Sequence, residues 1–128
     1  ETYPDRKAGG RPGVFEVAGQ PVTPYIVPQE CNMHMDTEWV KLHDKKKGTM
    51  KVAKTVYPFA FSSIPYTPIE LESATHQEEL PLPRRTVFTV LGKVRGVGGI
   101  NSWGADVEDA YHINGEEDII YSFRLLKD

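Results

Sequence analysis

Alternating apolar and polar positions predict that this chain is built mainly of β-strands. Residues 39–42 and 50–57 form the clearest pair, and the basic, turn-like segment 44–48 between them indicates a β-hairpin. Pro58 ends the second run because proline cannot donate to a β-ladder. Residues 59–63 then alternate aromatic with small side chains, which predicts a further strand with one buried face.

Two runs near the end of the sequence, 86–95 and 119–126, also predict strands. Each run places several apolar residues on one face. These residues are Phe88, Val90 and Val94 in the first run, and Ile119, Tyr121, Phe123 and Leu125 in the second. The dipeptide Asn114-Gly115 predicts a tight turn just before the second run.

The first quarter of the sequence has a weaker pattern. Residues 1–24 are rich in glycine and proline and predict an extended, turn-rich entry, with a candidate short strand at 14–17. Residues 25–27 indicate a brief strand that ends at a proline. Residues 29–35 show no clear period, and we interpret them as a loop.

One helix is predicted, beginning after Thr67 and ending before Pro81. Thr67 suits the N-cap, Pro68 suits the first helical position, and Glu70 stands where it completes a capping box. The inward side of this helix would consist of Ile69, Leu71 and Ala74. Residues 78–83 read as an extended linker. Many short strands with one helix predict an all-β, antiparallel sandwich.

Composition excludes several functional classes. No run approaches the roughly 18 apolar residues of a membrane span. Residues 1–128 also contain no basic-then-apolar signal pattern, an observation that carries no weight for a segment of a longer chain. The net charge of −3 and the absence of a basic field argue against nucleic acid. The single Cys31 excludes an internal disulfide and leaves the compartment open, and 128 residues fit one domain.

Residues 96–104 (GVGGINSWG) are the most distinctive stretch, with four glycines around one indole. Such a loop can present Trp103 as a flat platform for the C–H faces of a sugar, or the indole can lie in the core below a turn. Asn101 and Ser102 can hydrogen-bond sugar hydroxyls, but tying down the turn is the more common role for such residues.

Four ordered blocks resemble segments of the glycoside hydrolase family 2 β-galactosidases. The blocks are 1–6 (ETYPDR), 23–30 (TPYIVPQE) followed by Asp36 and Trp39, 61–66 (FSSIPY) followed by Leu71, Ala74 and His76, and 96–104. The chain is thus similar to the last part of such an enzyme. The resemblance implies that residues 1–128 form one domain, the C-terminal part of a larger galactose mutarotase-like supersandwich.

The resemblance also implies an activity for the parent enzyme, the retaining hydrolysis of terminal β-D-galactosides. Its two catalytic glutamates would lie in an upstream TIM-barrel domain, so this segment would hold no catalytic residue and would be inactive alone. Magnesium and sodium, where the parent uses them, would be held mainly in that barrel. We expect a carbohydrate substrate and the rest of the parent chain as partners, and the parent's oligomeric state stays open.

By the same resemblance, Trp103 lines the mouth of the active site and holds the leaving-group sugar or a transglycosylation acceptor. Asn101, Ser102 and Glu30 are lesser pocket or bracing groups. The sequence departs from the family at three places, which leaves another glycoside open as the substrate. These are Ile100, where aspartate is usual, Cys31-Asn32-Met33-His34, where Asn-Gly-Asn-Arg is typical, and Glu38, where arginine is usual.

Two other classes of protein fit the same residues. A carbohydrate-binding module would use Trp103 to bind glycan without any barrel, and a structural β domain would bury it. A metal site is disfavoured because the spacings of the four histidines fit no zinc motif. Iodide quenching of tryptophan fluorescence would separate the buried from the exposed alternative.

Overall fold

A computed structural model describes residues 11–95 and 101–127 of the chain. Its strands are β1 (Met33–Thr37), β2 (Trp39–Asp44), β3 (Gly48–Lys54), β4 (Phe59–Ile64), β5 (Val87–Leu91) and β6 (Phe123–Lys127). The helices in this part of the chain are α1 (Pro68–Glu72) and two 3₁₀ helices, Gln77–Glu79 and Asp109–Tyr111. The fold is all-β with one short α-helix, which confirms the predicted class.

The strands form two three-stranded sheets, ordered β1-β4-β5 and β2-β3-β6. The predicted hairpin is confirmed, because β2 and β3 pair antiparallel with Val40 opposite Val52. Its turn is closed by Asp44, whose carboxylate accepts hydrogen bonds from the backbone N–H groups of Lys46 and Lys47, both at 2.8 Å. Gly48 follows at φ 89°, a left-handed conformation that favours glycine.

The chain divides into two compact units. One unit comprises His34–Phe61 and the described part of Val90–Asp128, and the other comprises Arg11–Met33 and Ser62–Thr89. In the first unit Val52 is completely buried at the centre of its sheet. In the second, the buried core is Cys31, Ile64 and Leu71, with Val22, Tyr66 and Leu80 packed against it. The assignment of residues 1–128 to one domain stays a prediction.

Strand β4 confirms the strand predicted at 59–63 but differs in burial. Phe59 and Ala60 are both buried although they point to opposite faces of the strand. The expectation of a single buried face was therefore wrong. Both faces of β4 therefore carry buried side chains, and as the middle strand of its sheet it is also paired along both edges.

Three predictions for the first third of the chain were wrong. Residues 14–17 and 25–27 form no strand, and the N–H of Tyr25 instead bonds the carbonyl of Thr23 at 2.8 Å. That contact spans only two residues and turns the backbone away from an extended ladder. Conversely, β1 begins at Met33, inside the predicted loop. This segment forms a strand because it pairs with β4. The pattern of apolar and polar residues within a segment does not show which distant strand will pair with it.

Helix α1 begins with the predicted capping box. The hydroxyl of Thr67 accepts from the N–H of Glu70 at 3.3 Å, and the Glu70 carboxylate accepts from the N–H of Thr67 at 2.8 Å. The helix ends at Glu72, well before Pro81, and Gln77–Glu79 forms a 3₁₀ helix where an extended linker was predicted to begin. Leu71 and Ala74 are buried as expected, but Ile69 is 77% exposed.

The last two predicted strands are confirmed in shortened form as β5 and β6. Tyr121 lies outside β6, yet its ring stacks on that of Phe123 with centroids 6.4 Å apart, as side chains on one face do. The turn predicted at Asn114-Gly115 is present, with the Asn114 side chain accepting from the N–H of Glu116 at 3.0 Å. Among residues 11–95 and 101–127, no helix has the length and apolar character of a membrane span.

Glu70 gives the second unit a predicted pH dependence. A side-chain hydrogen bond from Arg85, with the capping bond from Thr67, lowers the pKa of Glu70 from 4.5 to about 2. Because the folded-state pKa is depressed, the stabilisation is complete above about pH 4.5 and is lost as the pH falls toward 2. Between pH 5 and about pH 2.5, we expect the urea midpoint of the Glu70→Gln variant to fall less than that of the wild type. Glu78→Gln is the control for loss of one carboxylate, and an equal change in both variants would contradict the prediction.

Gly92 offers a second test of packing. A Cβ at this position would lie 2.7 Å from Cγ of the Tyr121 ring, so the ring would have to leave its stack on Phe123. We expect Gly92→Ala to lower the free energy of unfolding by about 1–2 kcal/mol, measured by urea denaturation of the intact protein. Gly115→Ala is the matched control, because a Cβ at Gly115 would have no atom within 4 Å. Equal stability of the two variants would show that Tyr121 moves at no cost.

Candidate functional site

Trp103 is held on a turn and points into solvent. Its side chain is 90% exposed. The side-chain oxygen of Asn101 accepts hydrogen bonds from the backbone N–H groups of Trp103 at 2.8 Å and of Ala105 at 3.4 Å. Gly104 follows with φ 78°, a conformation that a side chain would strain. The structure therefore presents the indole as a surface and does not bury it below the turn.

The residues beside Trp103 divide into bracing and exposed groups. Asn101 ties down the turn, the more common of the two roles considered for it, while Ser102 is exposed next to the indole. Ile100 and the glycines at 96, 98 and 99 lie outside the described residues. Interpretations of that half of the loop stay predictions.

A polar cluster on the C-terminal side of the turn was missed by sequence reasoning. The Asp106 carboxylate accepts from the Arg95 guanidinium and, at 2.8 Å, from the N–H of Val107. Its other oxygen lies 3.4 Å from Nε2 of His112, which is 3.0 Å from the Val107 carbonyl oxygen. The hydrogen bond from the Val107 N–H, followed by the nearby side chains of Arg95 and His112, lowers the pKa of Asp106. No motif marks Asp106 among eighteen acidic residues.

Glu30, the other predicted site residue, is exposed and lies in the second unit. It lines an open groove of about 350 Å³ with Pro28, Gln29, Pro68, Ile69, Leu71 and Glu72. The groove combines apolar residues with two carboxylates, a mixture that suits an amphipathic ligand such as a sugar. The exposed Ile69 lines this groove because it faces away from the buried core.

The segment 31–36 shows how the chain accommodates its departure from the family. Asn32 stands where the family has glycine and adopts φ 60°, a left-handed conformation that asparagine tolerates better than most residues. Its side-chain amide donates to the carbonyl of Ser63 at 2.8 Å. His34 stacks on Phe61 with centroids 4.7 Å apart. Asp36, inside β1, also has a left-handed φ of 50° and is exposed.

No metal centre is apparent in the part of the chain that the structure describes. Within 11–95 and 101–127, no group of three or more His, Cys, Asp and Glu side chains is placed to hold an ion. The thiol of Cys31 is buried and accepts from the N–H of Thr23 at 3.4 Å, so the sulfur has a packing role.

Comparison with known proteins agrees with the resemblance. A family model described as the β-galactosidase small chain matches residues 1–125. A β-galactosidase small subunit of Latilactobacillus sakei is 53% identical over 98% of this chain and 42% of its own length. The β-galactosidase BgaC of Bifidobacterium adolescentis is 35% identical, and a β-galactosidase of Halalkalibacterium halodurans is 36% identical, each over 98% of this chain and 12% of its own length. The chain thus spans less than half the length of these relatives. It belongs to the β-galactosidase small-chain family.

Proposed function

We propose that this chain is the C-terminal part of a β-galactosidase that hydrolyses terminal β-D-galactosides with retention. In this proposal the chain shapes the substrate pocket and supplies no catalytic carboxylate. The observation that carries the proposal is Trp103, an indole 90% exposed on a turn whose backbone is hydrogen-bonded by Asn101. The names of the relatives support a β-galactosidase subunit.

The chemistry of Trp103 suits a binding role on the leaving-group side. An indole face attracts the C–H groups of a pyranose and covers them without fixing individual hydroxyls. Retaining hydrolysis needs two carboxyl groups roughly 5 Å apart, which we assign to the rest of the enzyme. Trp103 would orient the departing sugar, or an acceptor sugar in transglycosylation, against that pair. Ser102 and Glu30 would contribute polar contacts of smaller effect.

Strand β6 supports a role within a larger assembly. All five of its side chains are exposed, including Phe123, Leu125 and Leu126. β6 carries the charged Arg124 and Lys127, as solvated edge strands often do, but it also carries three large apolar side chains, which invite aggregation when they stay exposed. Since the chain covers 42% of one relative and 12% of others, we infer that β6 packs against the remainder of the enzyme.

The test is Trp103→Ala in the intact enzyme, assayed on lactose and on an aryl β-galactoside. The exposed indole also fits a carbohydrate-binding module, the second candidate. That candidate predicts that Trp103→Ala leaves lactose hydrolysis unchanged and abolishes binding of the enzyme to immobilised glycan.

A further inference from the structure

Asp106 lies three residues after Trp103, directly before the buried Val107, and its carboxylate contacts two side chains from other parts of the chain. Its carboxylate accepts from the N–H of Val107, a residue that is only 4% exposed. The same oxygen accepts from the Arg95 guanidinium, and the other oxygen lies 3.4 Å from Nε2 of His112. The end of the Trp103 turn is therefore linked through Asp106 to Arg95 and lies close to His112.

Trp103 depends on such ties because packing cannot fix it. A side chain that is 90% exposed has few neighbours to hold its ring in one orientation. The remaining constraint comes from the backbone, through Asn101 on one side of the indole and Asp106 on the other. Removing the Asp106 carboxylate leaves the Asn101 bonds and the His112–Val107 contact in place but removes the contacts of Asp106 with Arg95 and His112.

We propose that Asp106 is a positioning residue for Trp103, acting through its contacts with Arg95, Val107 and His112. The inference rests on the proposed pocket role of Trp103 and concerns how that indole is held. Exposed ion pairs add little to stability, so Asp106 is expected to affect activity more than folding. A platform misplaced by about 1 Å can cost far more in rate than its supporting contact contributes to the fold.

A double-mutant cycle in the intact enzyme tests this directly. The wild type, Trp103→Ala, Asp106→Ala and the double variant are compared by kcat/KM on lactose. We expect Asp106→Ala to lower kcat/KM about three- to tenfold when Trp103 is present and less than about twofold when it is absent. Asp106→Asn should lose less, because the amide oxygen still accepts from the Val107 N–H.

Asp109→Ala is the matched control, an exposed aspartate three residues further along the chain. It should leave kcat/KM unchanged, and all variants should keep the wild-type urea midpoint. Equal losses from Asp106→Ala in both backgrounds would mean a structural role and overturn the proposal. No loss from Asp106→Ala beside a clear loss from Trp103→Ala would also overturn it, while the pocket role stands. A harmless Trp103→Ala would overturn both.

Discussion

Replacing Trp103 by alanine in the intact enzyme is expected to lower kcat/KM on lactose about tenfold, or roughly 1.4 kcal/mol of transition-state stabilisation. The indole is exposed and on a braced turn, so its removal takes away a binding surface without opening a cavity. The loss should therefore appear in catalysis while the urea midpoint stays unchanged.

Comparing the effect of Trp103→Ala on different substrates shows which part of the substrate Trp103 contacts. If Trp103 holds the leaving-group sugar, then lactose and transglycosylation to added glucose should suffer most. An aryl galactoside, whose leaving group is itself flat and apolar, should lose activity to a different extent. Trp103→Phe keeps an aromatic face and should retain most activity, and Trp39→Phe is the control for loss of an indole elsewhere. Unchanged kinetics in a folded Trp103→Ala variant would mean that the turn is scaffold.

Local signals in the sequence were sufficient for the elements that depend on neighbouring residues. The hairpin is determined by alternation and by Asp44 and Gly48 in its turn, and α1 is determined by the pair Thr67 and Glu70. In each case the deciding hydrogen bonds join residues only two or three positions apart. Such contacts can be inferred from residue types and spacing alone.

The elements that sequence reasoning missed depend on distant partners. Strand β1 exists because β4 pairs with it, although its own residues show no period. Asp106 has its role because Arg95, eleven positions earlier, lies against it. Trp103 shows the mixed case, since the glycine-rich loop was compatible both with an exposed platform and with an indole buried below a turn. The three-dimensional arrangement was needed for that decision.

The second large effect is expected at β6, where Leu125→Asp should destabilise the intact enzyme by roughly 2–4 kcal/mol. Leu125 pairs with Val52 across the sheet, yet its own side chain is 63% exposed in this chain. If the rest of the enzyme covers Leu125, the substitution removes a buried leucine side chain and places a carboxylate in an apolar contact. The midpoint of thermal inactivation of the intact enzyme measures the effect.

The control for this substitution must match it in exposure and chemistry. Val56 is an aliphatic residue 69% exposed between β3 and β4, so Val56→Asp adds the same charge outside any strand. If β6 packs against the remainder of the enzyme, Leu125→Asp should lower the midpoint and Val56→Asp should not. Equal midpoints would mean that β6 stays solvated in the assembled protein. In that case the only described partner of β6 would be β3. That pairing leaves all five β6 side chains exposed, so it would not account for the apolar residues of β6.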